Sequence, residues 1–258
     1  MKRSLFIFCL ITFSCSLVAE EFVRKYFIVW NVGQGQWATR VDARECWHFD
    51  RGGEFFPGKF RKLCARKTQK LFISHWDWDH VGGIGALDSG TCLAKGPIGK
   101  SNRRKMSLVA KFKPCPSFPQ NIFSWTPEIG AAPVISENPK RRQTKSLWRR
   151  AKPNSNDSSH IFLTDSVLIP GDAPVSSEKQ WLHSLPLSSV KILLLGHHGS
   201  KTSTSQELLD ELPRLKQAVS SARWRRYHHP HPEVAARLAK ARVALLRTED
   251  WGNIWFEL

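Results

Sequence analysis

Leu71-Phe72-Ile73-Ser74-His75-Trp76-Asp77-Trp78-Asp79-His80-Val81-Gly82-Gly83 is the stretch on which the reading of this chain turns. An apolar run that reads as a buried strand, Leu71 to Ile73, stops abruptly at His75, Asp77, Asp79 and His80. Neutral imidazole and ionised carboxylate are ligands for Zn²⁺, Mn²⁺ or Fe, and four such groups crowded into one loop suit a metal better than solvent. Gly82 and Gly83 are expected to provide the tight backbone turn that such a loop needs. A hairpin or helix cap that happens to be rich in Asp and His would explain neither the H-x-D-x-D-H order nor the strand in front of it.

Outward from this loop, strands and polar clusters alternate. Tyr26 to Val32 reads as a strand, Gly33-Gln34-Gly35-Gln36 as a turn, and Trp37 to Val41 as the returning strand. Cys46 to Phe49 is a further strand ending in Asp50, and Arg61 to Gln69 has helix-permissive composition. His160 to Thr164 and Val167 to Ile169 are strands, the second ending in Pro170-Gly171-Asp172. Val190 to Leu195 is a near-continuous apolar run ending in Gly196-His197-His198-Gly199-Ser200. Thr204 with Glu207 reads as a capping box, and Pro232 opens a helix with an apolar face of Val234, Leu238 and Ala241. Val243 to Leu246 and Ile254 to Phe256 close the chain as strands. Between Asp88 and Asn156 the periodicity is weak and prolines are frequent, which predicts an irregular insertion over about residues 90–155. Asp and His residues thus fall just after strand ends, at Asp50, His75, Asp172, His197 and His229. In a layered α/β fold such ends share one edge, so distant residues can converge on one site.

Composition bounds the rest. With 258 residues, 41% hydrophobic and 24% charged, the chain can bury one substantial core. Lys2 and Arg3 before an apolar run from Leu5 to Phe13, then Ser16 to Ala19, read as a secretory signal peptide over residues 1–19, too short to span a bilayer. The mature domain then runs over 20–258 without a transmembrane segment and is secreted or periplasmic. Cys15 raises a lipoprotein alternative that Thr12 and Phe13 fit badly. Cys46, Cys64, Cys92 and Cys115 remain, enough for two disulfides with three possible pairings; with no C-x-x-C pair, structural zinc is the weaker idea. The net charge of +17 concentrates between Arg103 and Lys152, which hold twelve Lys or Arg against Glu128 and Glu137. Such a field attracts polyanions, nucleic acid foremost, although acidic glycans or anionic membranes would feel it equally.

Asp50 after a strand, H-x-D-x-D-H-x-G-G, Gly171-Asp172 and a late His together resemble the metallo-β-lactamase fold superfamily. More narrowly, Val32 to Gly35, Ser74 to Gly83, Gly171-Asp172, His197 to Ser203 and His229 to Val234 resemble the nuclease-like domain of the ComEC DNA-uptake family. The resemblance implies an αββα four-layer sandwich with a binuclear site for two divalent ions, Mn²⁺ or Zn²⁺. His75 and Asp77 would bind one metal, Asp79 and His80 the second, and Asp172 would bridge them. The last ligand would come from His229 or His231, with His229 favoured. His197 or His198 would lie beside the reacting phosphate as ligand or proton donor, and Asp50 would orient the ligand imidazoles. Ser200, Lys201 and Ser203 would receive phosphate oxygens. Asn156 to Ser159 occupy the place where the superfamily often has another His, which would leave an open coordination position.

There are departures from the family. Its turn Asp-Val-Gly-Gln-Gly-Asp is here Asn31 to Gln36, with both carboxylates made neutral; His228 stands where the family has Gly; and the ComEC channel is absent. Trp76 and Trp78, between the ligands, could pack beneath the loop or stack on bases of a single strand. The expected function is an exported metal-dependent phosphodiesterase acting on DNA. The alternatives are a hydrolase of another anionic ester or cell-wall substrate, and a non-catalytic polyanion-binding protein.

Overall fold

Alternation with a period of two sends successive side chains of a strand to opposite faces. In the first strand Phe27 and Val29 belong to one buried cluster while Ile28 and Trp30 belong to another. Phe72 and its neighbours Leu71 and Ile73 divide in the same way, as do Leu193 and Leu194 later in the chain. Strands that are apolar on both faces must be covered on both faces, and the architecture follows from that demand.

The computed structural model describes residues 24–127 and 155–258. The expected signal peptide and the Lys140-Arg141-Arg142 cluster lie outside the described residues. The chain forms β1 (Tyr26–Val29), β2 (Ala38–Val41), β3 (Glu45–Phe49), β4 (Thr68–Phe72), β5 (Cys92–Lys95), β6 (Ile122–Trp125), β7 (Ile161–Thr164), β8 (Val167–Ile169), β9 (Ile192–Leu194), β10 (Gln217–Ser220), β11 (Ala244–Arg247) and β12 (Ile254–Glu257). They make two six-stranded sheets, ordered β12-β1-β2-β3-β4-β5 and β11-β10-β9-β8-β7-β6. In the first, β12 to β3 pair antiparallel and β3 to β5 parallel. In the second, β6 to β8 pair antiparallel and β8 to β11 parallel.

Phe27, Phe49 and Phe72 of the first sheet meet Phe162, Ile169 and Leu194 of the second in the layer between the sheets. Outside the first sheet, Phe60 and Cys64 of helix Lys59–Cys64 and Val81 of the ligand-loop helix cover Leu71 and Ile73. Outside the second, Trp181, Leu208, Val234 and Leu238 come from helices Val175–Trp181, Gln206–Asp210 and Pro232–Lys240. Four layers result, helix–sheet–sheet–helix, the αββα arrangement expected from the sequence.

The interval expected to be irregular is largely ordered where it is described. It supplies the edge strands β5 and β6 and the helix Arg103–Val109, capped by Asn102, whose side chain accepts from Lys105 N. Short elements with half-buried faces carry little periodic signal, which is why the sequence hid them. The disulfides pair Cys46 with Cys64 and Cys92 with Cys115, the second closing a 23-residue separation within this interval. Two further expectations are corrected. Ser205, not Thr204, caps Gln206–Asp210, because Thr204 N and Ser205 N both donate to the Glu178 carboxylate. Trp255, expected in the core, points outward on an edge strand, whereas Trp30 and Trp47 are buried.

Phe72 lies 5.0 Å from Phe49 and 5.6 Å from Phe162, ring centre to ring centre, on the strand that delivers the ligand loop. Phe72→Ala is therefore expected to cost about 3–5 kcal/mol of unfolding free energy. Denaturant titration checks this, and a loss below about 1 kcal/mol would mean that the inter-sheet layer is loosely packed.

Candidate metal centre

The ligand loop leaves β4 at Ser74 and turns back as a short helix, Trp78–Val81. Its backbone is clamped by the neighbouring loops. Gln36 N donates to Asp79 O at 2.8 Å, Arg51 N to His80 O at 2.7 Å, and Gly52 N to Gln36 O at 3.0 Å. Gly52 is required by proximity: a Cβ there would lie 1.9 Å from the carbonyl carbon and oxygen of Asp79. Gly82 and Gly83, by contrast, have ordinary right-handed backbones, with φ of −61° and −105°. Their φ angles do not call for glycine; the closest backbone approaches are to Trp78 O, 2.6 Å from a Cβ on Gly82, and to Arg51 O, 3.0 Å from one on Gly83.

Asp50, at the end of β3, fixes the imidazoles. Its Oδ2 accepts from Ser74 Oγ at 2.8 Å and lies 2.8 Å from His80 Nδ1, while Oδ1 accepts from Ser74 N at 2.7 Å. A carboxylate only accepts, so His80 Nδ1 carries the proton and its Nε2 presents a lone pair. Ser74 donates to Asp50, and its oxygen in turn can take the proton of His75 Nδ1, 3.0 Å away, which also leaves His75 Nε2 as a lone pair. These are the second contacts that set tautomer and direction in metal-binding histidines.

Both lone pairs converge on Asp172, three residues beyond β8. Asp172 Oδ1 is 3.0 Å from His80 Nε2 and 3.9 Å from His198 Nε2; Oδ2 is 3.7 Å from both His75 Nε2 and His197 Nε2. His198 Nε2 is 3.2 Å from Asp79 Oδ2, and His75 Nε2 is 3.7 Å from Asp77 Oδ2. Two overlapping sets are close enough to hold an ion: His75, His80 and Asp172, and Asp79, His80 and His198. His75 Nε2, His80 Nε2 and Asp172 Oδ1 are buried without a hydrogen-bond partner. Acceptors gathered in the interior without donors are costly unless a cation satisfies them. The donor set therefore fits a divalent metal.

Without metal, protons take that place. Burial alone would lower the pKa of His80, yet Asp172 and Asp50 hold it well above its ordinary value. His198 is raised in the same way by Asp172 and Asp79 against its burial. Burial would raise the Asp172 carboxyl, but His80, His198 and His75 hold it well below its usual range. Burial would likewise raise Asp79, but His198 and His80 hold it low. His197 and His229 remain neutral bases: burial lowers both, His229 to about 4 with help from His198 and His197.

The remaining sequence candidates spread around this centre. Asp77 begins the loop helix with no cap bond from its side chain, leaving the carboxylate half-exposed. His197 and His198 both adopt left-handed backbones, φ 48° and 57°, strained for residues other than glycine. The His229 ring is 6.0 Å from His197, centre to centre, and joins neither three-residue set. His231 caps helix Pro232–Lys240 through Nδ1, and His228 closes the preceding helix with its ring against Trp224. Asn156 Nδ2 lies 3.5 Å from His197 Nδ1. Ser203 Oγ is committed to Ala173 O at 2.8 Å, and Ser200 Oγ lies 3.0 Å from Thr202 Oγ1, leaving Lys201 exposed nearby. Sequence reasoning passed over Lys105, whose ammonium is 3.9 Å from Asp77 and 5.2 Å from the Trp78 ring centre. Its only signal was membership of the Arg103-Arg104-Lys105 cluster.

No protein-family model matches the chain. It is 33% identical over 107 residues to ComE operon protein 3 of Bacillus subtilis, covering 40% of this chain and 14% of that protein. Recombination protein 2 of Haemophilus influenzae is 36% identical over 104 residues, 38% of this chain and 13% of the relative. Competence protein ComA of Neisseria gonorrhoeae is 26% identical over 244 residues, 89% of this chain and 32% of the relative. The chain thus spans between about an eighth and a third of these relatives. Among solved structures, a diphosphatase from the PhnP family aligns at TM-score 0.49 and 11% identity, over 91% of this chain and 98% of that one. A metallo hydrolase of Ignicoccus hospitalis aligns at TM-score 0.48 and 12% identity, over 90% and 99%.

Two outcomes test the centre. Gly52→Ala should destabilise the fold by at least about 2 kcal/mol and weaken Mn²⁺ or Zn²⁺ binding, whereas Gly58→Ala, with nothing near its Cβ, should do neither. The carboxylates around them raise the pKa values of His80 and His198, so each holds a proton more tightly in the metal-free protein than a free imidazole does. Metal must displace those protons, so affinity should rise with pH, by up to about tenfold per unit for each proton released, until the raised values are passed. Isothermal titration in buffers of differing ionisation heat counts them; release of none would contradict the assignment.

Proposed function

We propose that this chain, a ComEC-like domain with the metallo-β-lactamase fold, is a metal-dependent hydrolase that cleaves phosphodiesters, with DNA as its substrate. The observation that carries the reading is the gathering of unpartnered acceptors, His75 Nε2, His80 Nε2 and Asp172 Oδ1, around one buried point. Donors of this kind, with Asp172 offering one oxygen to each side, would hold two ions. His75 and His197 face Asp172 Oδ2, with Asp77 beside His75, and His80 and His198 face its other oxygen, with Asp79 beside His198. Divalent ions so held would supply Lewis-acid charge and an activated water for in-line attack on phosphorus. Carboxylates and imidazoles together, without thiolate, suit Mn²⁺ and leave Zn²⁺ possible.

The chain's own residues do the remainder. His197 and His229 are neutral near pH 7 and can take or return a proton at the open side of the centre, where His197 is partly exposed. Arg103, Arg104 and Lys105 sit on one short helix beside Trp78 and Asp77, so positive charge borders the place where a phosphate must arrive. This surface, the excess of cations in the sequence and the likeness to competence proteins support nucleic acid over a neutral ester. Export belongs to the same reading: the basic and apolar start of the chain supports it, and two disulfides suit an oxidising compartment.

The test is hydrolysis by protein produced from Glu20 onward under oxidising conditions, stripped of metal and then given Mn²⁺ or Zn²⁺. Metal-restored cleavage of DNA, lowered at least about 10³-fold in both Asp172→Asn and Asp79→Ala, is the expected result. Salt-sensitive DNA binding with no cleavage by any form would instead indicate a binding module.

A further inference from the structure

We infer that the recess beside Asp79 is a subsite for one unpaired nucleobase, which makes single-stranded nucleic acid the preferred substrate; the inference rests on the phosphodiesterase reading above. The recess has a volume of about 250 Å³ and is lined by Gln34, Gly53, Glu54, Trp78, Asp79, Arg226 and Tyr227. Drug-sized ligands occupy roughly 300–1,000 Å³, so this one suits a single planar ring system and excludes a base pair. It adjoins the metal centre through Asp79, which itself lies 3.2 Å from His198.

Two aromatic residues line it and neither is core. Trp78 is 40% exposed and Tyr227 52% exposed. Large exposed aromatics beside a reactive centre are stacking platforms for bases, which every base can use. Trp76, two residues away, has the other fate: its Nε1 donates to Ile98 O at 2.9 Å and the ring is half-buried. A file of rings also leads inward, Tyr227 lying 6.0 Å from His229 and His229 6.0 Å from His197, whose Nε2 is 3.7 Å from Asp172.

The charges around the recess suit a strand rather than a free base. Arg223 and Arg226 reach Glu54 at 2.8 and 2.7 Å, each guanidinium still half-exposed and able to meet a flanking phosphate. Arg104 lies 5.2 Å from the centre of the Trp78 ring. Glu54 also accepts from Gln34 N at 3.2 Å, so this carboxylate of the lining is already engaged by three donors. Recognition is then by stacking, and little preference among bases is expected.

The experiment compares an oligothymidylate ten nucleotides long, an abasic oligomer of equal length and a blunt duplex, with metal-loaded full-length mature protein. Expected is cleavage of the oligothymidylate about 5- to 150-fold faster than of the abasic oligomer, the range that one base–aromatic stack supports. Tyr227→Ala and Trp78→Ala should collapse that ratio, Tyr227→Phe should keep it, and Trp251→Ala, remote and exposed, should leave it unchanged. Equal rates on the two oligomers, or an undiminished ratio in Tyr227→Ala, overturn the subsite. If nothing is cleaved, the phosphodiesterase reading has failed on its own account. Fluorescence anisotropy of labelled oligothymidylate then decides the subsite: binding weakened at least fivefold by Tyr227→Ala upholds it, and equal binding overturns it.

Discussion

Four donors meet at the Asp50 carboxylate, which is 1% exposed: Gln36 Nε2, Ser74 N, Ser74 Oγ and His80 Nδ1, all within 2.8 Å. A buried carboxylate survives only when its lone pairs are satisfied, and here each satisfaction has a structural consequence. Ser74 N ties the end of β4 to the end of β3. Ser74 Oγ relays to His75, and His80 is held directly. One anion thereby sets the separation of two parallel strands and the orientation of two imidazoles. Asp50 itself sits at φ 55°, a left-handed backbone that an L-residue adopts at some cost and that the four bonds offset. Remove the carboxylate and two Nε2 lone pairs lose their aim together.

The next residue performs the matching task on the outer side. Arg51 is buried, with its guanidinium 4.6 Å from the ring centres of both Trp37 and Phe60 and 5.0 Å from that of Phe56. Burial pushes its pKa down to about 10, so it stays charged at neutral pH. Its Nη1 donates to Gly83 O at 2.8 Å, and Gly83 N donates back to Arg51 O at 2.8 Å. The ligand loop is thus pinned at its start by Asp50 and at its end by Arg51. A site held by adjacent residues of one strand end depends little on loop flexibility, as a catalytic constellation requires.

The sequence made the framework legible wherever residues carried a strong local signature. The strand Val167–Ile169 is found with the bounds expected, and β1, β2, β3 and β12 differ from expectation by few residues, because β-branched and aromatic residues set between turn signals mark them. His75, His80 and Asp172 could be named because their chemistry is rare in a core. The neighbours that line the recess beside Asp79 were not legible. Tyr227 and Arg226 lie on a four-residue helix, Trp224–Tyr227, with no buried residue of its own, and Glu54 reaches the recess from a loop. Nothing in local pattern marks a residue whose importance comes from contacts 172 positions away, such as Arg226 with Glu54. Lys105 stayed hidden for the opposite reason: it looked like one more cation in a basic run, and only packing shows it buried near Asp77.

The altered turn, Asn31 to Gln36, is understandable on the same terms. Gln36 Nε2 donates to Asp50 Oδ2 at 2.8 Å, a bond that an aspartate at this position could make only in its protonated form. An ionised carboxylate would instead set like charges together in the interior, which is costly. Gln36 also holds the turn by a second route, its backbone N donating to Asp79 O at 2.8 Å. Asn31 accepts from Gly33 N at 3.3 Å through Oδ1, a local turn bond that asparagine and aspartate form alike. Both neutral replacements therefore keep the hydrogen bonds on which the loop depends. The change puts a neutral donor beside Asp50 in place of a second charge, while the hydrogen bonds that aim His75 and His80 stay in place.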